Sequence, residues 1–159
     1  MLESELPWSA EWLFLIDKEK ALIVSKEKEA KWRGDPYLDV YMIQEQIVKY
    51  SGDLSYQRHM IEDYRNYIDS SKPLVVDSIN RTPSSDAALE FFKQVILVEV
   101  NSSAVARAAR HLLDALKVPS ETDDEEEKYK RLVNELRSDD IQIKKKAIAR
   151  VSGCSSFND

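Results

Sequence analysis

The sequence predicts an all-α protein of about seven or eight helices, arranged as a helical bundle or a short α-solenoid of antiparallel helical hairpins. Three observations support this fold class. Only three glycines and five prolines occur in 159 residues, which disfavours turn-rich β-sandwiches and barrels. Apolar residues recur at helical spacing in most segments. A pair of helical patterns also recurs after about 38 residues, which is typical of repeat architectures.

The N-terminal half is predicted to contain four helices. Residues 12–32 place apolar residues at helical spacing, with a short strand at 21–24 as the alternative. Gly34 can end that helix in the left-handed conformation, and Asp35 followed by Pro36 can start the next, which extends to about residue 51. Residues 53–68 form the third helix. Residues 74–79 form a short fourth helix, with a strand at 74–76 as the alternative.

The C-terminal half is predicted to contain two helical pairs, at 86–99 with 102–117 and at 123–137 with 140–152. Thr122 and Glu125 have the spacing of a capping box at the start of the third of these helices. An apolar stripe marks the second helix of each pair. Its members are Val105, Ala109 and Leu113 in the first copy, and Ile143, Ala147 and Val151 in the second.

The second pair resembles a HEAT or armadillo repeat, mainly over residues 129–153 and more loosely over 86–117. The shared features are an aliphatic helix end at Leu136, a Ser/Asp turn at 138–140, and Ile143 followed four positions later by Ala147. The resemblance implies stacked hairpins that bind other proteins, and the chain as the N-terminal part of a longer solenoid. The expected organisation is an aromatic-rich helical subdomain at 1–80, two hairpins at 81–153 and a frayed tail at 154–159.

Composition restricts the range of functions. The net charge is −6 and the pI about 5.1, which argues against nucleic acid because affinity for phosphates comes mainly from cations. No apolar run approaches the roughly 20 residues that span a bilayer. The single Cys154 rules out an internal disulfide, and the acidic N-terminus does not have the form of a signal peptide. We therefore expect a cytoplasmic or nuclear protein without a membrane partner.

The sequence offers little catalytic chemistry. His59 and His111 lie far apart without nearby cysteines, so neither a metal site nor a cofactor is predicted. Glycine-rich phosphate loops and nucleophile motifs are missing from the sequence. The favoured function is a non-catalytic protein-interaction module acting as an adaptor, scaffold or regulatory subunit. One alternative is a small helical enzyme or enzyme-regulating domain with a site near His59, Glu62 and Tyr64. Another is a bundle that self-associates through its N-terminal aromatic residues.

Basic residues on the second helix of each pair are the predicted partner-binding residues, because the helix phase places them off the apolar stripe. They are Lys145, Lys146 and Arg150 on the last helix, and Arg107 and Arg110 on the earlier one. Residues 121–127 hold six acids in seven positions. This run favours a helix N-terminus stabilised by its dipole, with a docking surface for a basic partner, or a phosphorylation site at Ser120 or Thr122, as the alternatives.

Overall fold

The computed structural model describes residues 14–153, which contain eight α-helices, one short 3₁₀ helix and no strand. Residues 14–16 are helical as well. The all-α prediction is therefore confirmed for this part of the chain. The α-helices are α1 (Lys18–Trp32), α2 (Val40–Ser51), α3 (Ser55–Asp63), α4 (Lys72–Asn80), α5 (Asp86–Val98), α6 (Ser102–Ala115), α7 (Asp123–Leu136) and α8 (Ile141–Gly153), with the 3₁₀ helix at Tyr64–Asn66. Within the described residues, no helix is long and apolar enough to cross a bilayer.

The chain divides into two compact units, Met1–Pro83 and Ser84–Asp159. In unit 1, α2 is the central element and packs against α1, α3 and α4. Its buried face includes Val40, Ile43, Ile47 and Val48, each at most 3% exposed. The spacing of these residues is that of one helical stripe facing a core.

The connections of unit 1 follow local backbone chemistry. Gly34 and Gly52 have φ values of +88° and +74°, so both occupy the left-handed region that favours glycine at helix ends. The predicted start of the second helix at Pro36 is wrong, since α2 begins at Val40. The Asp35 carboxylate instead accepts a hydrogen bond from the Tyr37 backbone N–H at 2.9 Å, which closes a turn before the helix.

Both segments for which a strand was the alternative are helical. Residues 21–24 lie within α1, and residues 74–76 lie within α4, where Pro73 occupies the first turn. A proline is tolerated there because the first N–H groups of a helix have no intrahelical partner. The predicted third helix is shorter than expected, since it ends at Asp63 and continues only as the 3₁₀ turn Tyr64–Asn66.

Unit 2 is a four-helix arrangement in which neighbours in sequence pack together, α5 with α6, α6 with α7 and α7 with α8, and α8 also packs against α5. This is a repeat-like all-α fold of packed adjacent helices. Small residues line its core, because Ala104, Ala108, Ala109 and Ala147 are completely buried. Alanine at these positions lets helix backbones approach closely.

Side-chain caps fix where the helices of unit 2 begin. Asn101 caps α6 by accepting hydrogen bonds from the N–H groups of Ser103 and Ala104. The predicted capping box is confirmed, because Thr122 accepts from the Glu125 N–H and Glu125 accepts from the Thr122 N–H at 3.0 Å. These bonds satisfy N–H groups that the helix itself leaves free.

The apolar stripe of the last helix is only partly buried. Ala147 and Val151 are 0% and 3% exposed, but Ile143 is 41% exposed, so its predicted core position is wrong. The corresponding residue of the earlier helix, Val105, is 6% exposed. Ile141 is also 39% exposed, so the first turn of α8 has little cover from neighbouring helices.

Candidate functional site

A groove between α6 and α7 is a concave surface of unit 2 with a volume of about 640 Å³. This size falls within the range of ligand-binding clefts. The groove has mixed chemistry, with cations, carboxylates, polar side chains and one aliphatic residue. Its lining residues are Arg110, Asp114, Ser120, Glu126, Tyr129, Lys130, Val133, Asn134 and Arg137.

Helical periodicity explains why these residues share one surface. On α6, Arg110 and Asp114 are four positions apart, which places them one above the other. The α7 residues of the groove recur every three or four positions, from Glu126 through Val133 to Arg137. Side chains at this spacing lie along one face of a helix. The groove therefore follows the length of α7 rather than gathering at one end.

Both carboxylates of the groove already have partners. The Tyr129 hydroxyl donates a hydrogen bond to Asp114 Oδ1 at 2.7 Å. Burial and this hydrogen bond raise the pKa of Tyr129 to about 12, so the phenol stays protonated near neutral pH. Glu126 forms an ion pair with Lys130 at 2.5 Å, four positions along the same helix. Glu126 is thereby paired with a cation, whereas Asp114 keeps its negative charge and has a neutral hydroxyl as its partner.

Two guanidinium groups of the groove remain available. Arg110 and Arg137 are both exposed, and neither forms an ion pair or a hydrogen bond to a carboxylate within residues 14–153. Arginine presents its N–H donors in a planar fork that matches the two oxygens of a carboxylate or a phosphate. The groove can therefore receive an anion without first breaking an internal salt bridge.

The predicted partner-binding residues occupy different environments. Arg110 lies in the groove, whereas Lys145 and Lys146 are exposed on α8. Arg150 forms an ion pair with Glu135 of α7 at 2.5 Å, so it already holds α8 to α7. Arg107 is half-buried on α6. The structure thus brings only one of the five into the groove.

Sequence reasoning missed the α7 side of the groove. Lys130 and Arg137 are seven positions apart, a spacing that places them on one helical face, and this signal was available in the sequence. The position of α6 opposite that face depends on tertiary packing, which no local pattern reveals.

Unit 1 contains a second cluster of interest, a buried polar network joining three helices. Glu29 of α1, Gln44 of α2 and Asp63 of α3 are 3%, 0% and 7% exposed. The Gln44 side-chain amide donates to Glu29 Oε1 at 2.9 Å and to Asp63 Oδ2 at 3.3 Å. Within the described part of the chain, Gln44 Oε1 has no hydrogen-bond partner. One fully buried amide thus bridges two carboxylates.

Basic groups at the edge of unit 1 complete the network. The Nδ1 atom of His59 lies 2.8 Å from Glu29 Oε1. The Arg33 guanidinium donates from Nε to Asp63 at 2.9 Å and from a terminal nitrogen to Glu62 at 2.5 Å. Burial acts to lower the pKa of Arg33, but the two acidic partners raise it above its ordinary value. Each buried carboxylate therefore has a basic neighbour, as burial of charge requires.

The residues of the predicted enzymatic alternative have different partners in the structure. His59 contacts Glu29 and lies against the Tyr56 ring, with ring centroids 5.2 Å apart. Glu62 pairs with Arg33 instead. Tyr64 is 6% exposed in the 3₁₀ turn. Sequence reasoning missed Glu29 and Gln44, the two residues that orient the His59 side of the network.

Among the described residues, no group of three His, Cys, Asp or Glu side chains is close enough to hold a metal ion. His111 packs near Phe92, with ring centroids 5.8 Å apart. Cys154 lies outside the described residues.

The fold and its surfaces define an all-α protein of two helical units, one with a polar groove and one with a buried ionic network. No known protein family, curated protein or solved structure matches this chain.

Proposed function

We propose that this chain is a non-catalytic protein-interaction module that serves as an adaptor, scaffold or regulatory subunit. The observation that carries the proposal is the α6/α7 groove, whose two exposed arginines are not paired with internal carboxylates. Arginine is enriched among the residues that dominate protein interfaces. An open groove with mixed polar and apolar lining suits a protein partner better than a reaction that must exclude water.

The proposal includes a relationship of unit 2 to HEAT and armadillo repeats and a role in a longer solenoid. Support comes from the buried alanines at matched positions, Ala109 and Ala147, each completely buried at a helix contact. The exposed first turn of α8, with Ile141 and Ile143 partly uncovered, offers an apolar edge against which a further helix would pack.

Cross-linking followed by mass spectrometry tests the interaction surface directly. The tagged chain is used to capture partners, and cross-linked peptides locate the contact. We expect cross-links from Lys130, Lys145 or Lys146, and loss of partner recovery in a Lys145→Glu/Lys146→Glu variant or an Arg110→Glu/Arg137→Glu variant. Recovery unchanged in both variants, with cross-links confined to unit 1, would contradict the proposed surface.

The enzymatic alternative draws its support from the contact between Glu29 and His59. A buried carboxylate that holds one imidazole nitrogen is the arrangement that orients a general base. Under the proposed binding function, His59→Asn leaves partner recovery unchanged, because His59 lies in unit 1. Loss of partner recovery in His59→Asn with the fold intact would favour a role for that network instead.

Sedimentation of the purified chain over a range of concentrations tests the self-associating alternative.

A further inference from the structure

We infer that the α6/α7 groove accepts a short acidic peptide segment of a partner protein, with carboxylates bound by Arg110 and Arg137. This inference rests on the proposed function and names the chemistry of the partner. Its starting point is the balance of charge in the groove. Asp114 is occupied by the Tyr129 hydroxyl, and Glu126 by Lys130. The lining holds three cations, Arg110, Lys130 and Arg137, and two carboxylates, so its net formal charge is +1, and the two cations without a carboxylate partner are the arginines.

The rest of the lining suits a peptide. Val133 is 8% exposed and forms an apolar floor. Next to it, the exposed Asn134 amide has two donors and one acceptor for a peptide backbone. The Tyr129 hydroxyl donates to Asp114 and keeps lone pairs free to accept a further bond. A segment with an aliphatic residue between two acidic ones would meet each of these groups.

Charge outside the groove argues against a long polyanion. The residues that precede and begin α7 include Glu121, Asp123 and Asp124, all exposed, and they adjoin Ser120 in the groove lining. A nucleic acid gains its affinity from many phosphate contacts, yet only two unpaired guanidiniums are present in the groove. A short segment can occupy the arginine-containing part of the groove without extending along the acidic one.

Fluorescence anisotropy with synthetic peptides tests the inference. The probes are labelled, blocked nonapeptides in which two glutamates flank a central leucine at increasing separation. Each has a twin with glutamines in place of the glutamates. We expect at least one glutamate peptide to bind about tenfold more tightly than its twin, with the advantage falling as salt rises, because exposed ion pairs are screened. Amide resonances of Tyr129 and Asn134 should shift on binding in NMR spectra.

Two double variants with the same change of charge locate the site. Arg110→Gln/Arg137→Gln should abolish the preference for glutamate. The control is Arg58→Gln/Arg65→Gln, which removes two exposed arginines of unit 1 and should retain the preference. Circular dichroism of each variant confirms that it is folded.

Several results would overturn the inference. Equal binding of the glutamate and glutamine peptides is one, and equal loss in both double variants is another. Tighter binding of a ten-nucleotide single strand than of every glutamate peptide would assign the groove to a different ligand. If the peptides fail while a captured partner still cross-links to α6 and α7, the proposed function stands and the acidic occupant does not. If the peptides bind and no partner contacts unit 2, the groove accepts an acidic segment and the proposed function is wrong.

Discussion

Glu29 offers the most direct test of how unit 1 is held together. Glu29 is 3% exposed, and its side chain contacts two residues from other helices, Gln44 at 2.9 Å and His59 at 2.8 Å. Replacing Glu29 with alanine removes a carboxylate that joins α1 to both α2 and α3 through these contacts. The neighbouring helices then face each other across a partly polar gap.

The expected loss in the free energy of unfolding is the balance of two destabilising effects and one stabilising effect. Two hydrogen bonds to a charged acceptor contribute about 1.5–3 kcal/mol each. Loss of the buried aliphatic stem adds about 0.8 kcal/mol per methylene. In the opposite direction, the variant no longer desolvates a carboxylate, an effect of several kcal/mol. Gln44 also keeps its 3.3 Å bond to Asp63. We therefore expect Glu29→Ala to lower the free energy of unfolding by about 2–4 kcal/mol.

Urea denaturation followed by tryptophan fluorescence measures this loss in the correct unit. All three tryptophans precede Pro83 in the sequence, and Trp32 is the last residue of α1, so the emission of Trp32 reports the unfolding of unit 1. A matched control is Glu27→Ala, which removes an exposed glutamate from the same helix. We expect this control to change stability by less than about 0.5 kcal/mol, as is typical of surface substitutions.

A double-mutant cycle with His59→Ala separates the contact from general disruption of α1. Because His59 Nδ1 and Glu29 Oε1 are 2.8 Å apart, we expect the two substitutions to be coupled by about 1–2 kcal/mol. The reasoning is refuted if Glu29→Ala costs no more than Glu27→Ala, or if the two losses are simply additive. Either result would mean that packing alone docks α1 and that the network is energetically neutral.

Three further predictions concern unit 2. Thr122→Ala removes the cap of α7 and should cost about 1 kcal/mol in urea denaturation followed by circular dichroism, whereas Ser120→Ala should cost almost nothing. Ile143→Ala should cost less than about 1 kcal/mol because Ile143 is 41% exposed, and Val105→Ala about 2 kcal/mol because Val105 is 6% exposed; similar losses would contradict the burial described. The raised pKa of Tyr129, about 12, gives stability that is present below about pH 10 and lost as pH rises towards 12. Tyr129→Phe should therefore make the alkaline fall in unfolding free energy shallower, and an unchanged fall would argue against the hydrogen bond to Asp114.

Local signals in the sequence were sufficient for most of the helices. The capping box at Thr122 and Glu125 and the left-handed glycine Gly34 depend only on neighbouring residues, and both occur as predicted. The start of α2 was predicted too early, because an aspartate before a proline serves a turn as well as a helix cap. Asp35 forms such a turn, and its carboxylate contacts the Tyr37 N–H rather than a helix terminus.

The candidate sites were harder to predict because they depend on contacts between helices. Glu29 lies in a stretch rich in lysine and glutamate, which indicates an exposed helix by composition. Its burial arises only because Gln44 and His59, 15 and 30 residues away, supply partners. In the same way, Arg110 was identified from helix phase, but its association with Arg137 requires the packing of α6 against α7. Helical periodicity indicates which side chains face away from the core, but it does not indicate which residues of other helices they contact.

The recurrent apolar stripe shows what a repeated spacing can and cannot establish. Two of the three matched pairs are buried to a similar extent: Ala109 and Ala147 are both 0% exposed, and Leu113 and Val151 are 0% and 3% exposed. The third pair differs, because Val105 is 6% exposed and Ile143 is 41% exposed. A helix in any bundle needs an apolar residue every three or four positions, so the alanine match follows from a core of closely packed helices. For two hairpins to be structurally equivalent, the neighbouring helices must bury corresponding positions to the same extent. In unit 2, α8 packs against both α7 and α5, so its surroundings are those of a helix in a closed bundle as much as of one in an open stack. The stripe therefore supports the all-α fold more strongly than it supports a solenoid.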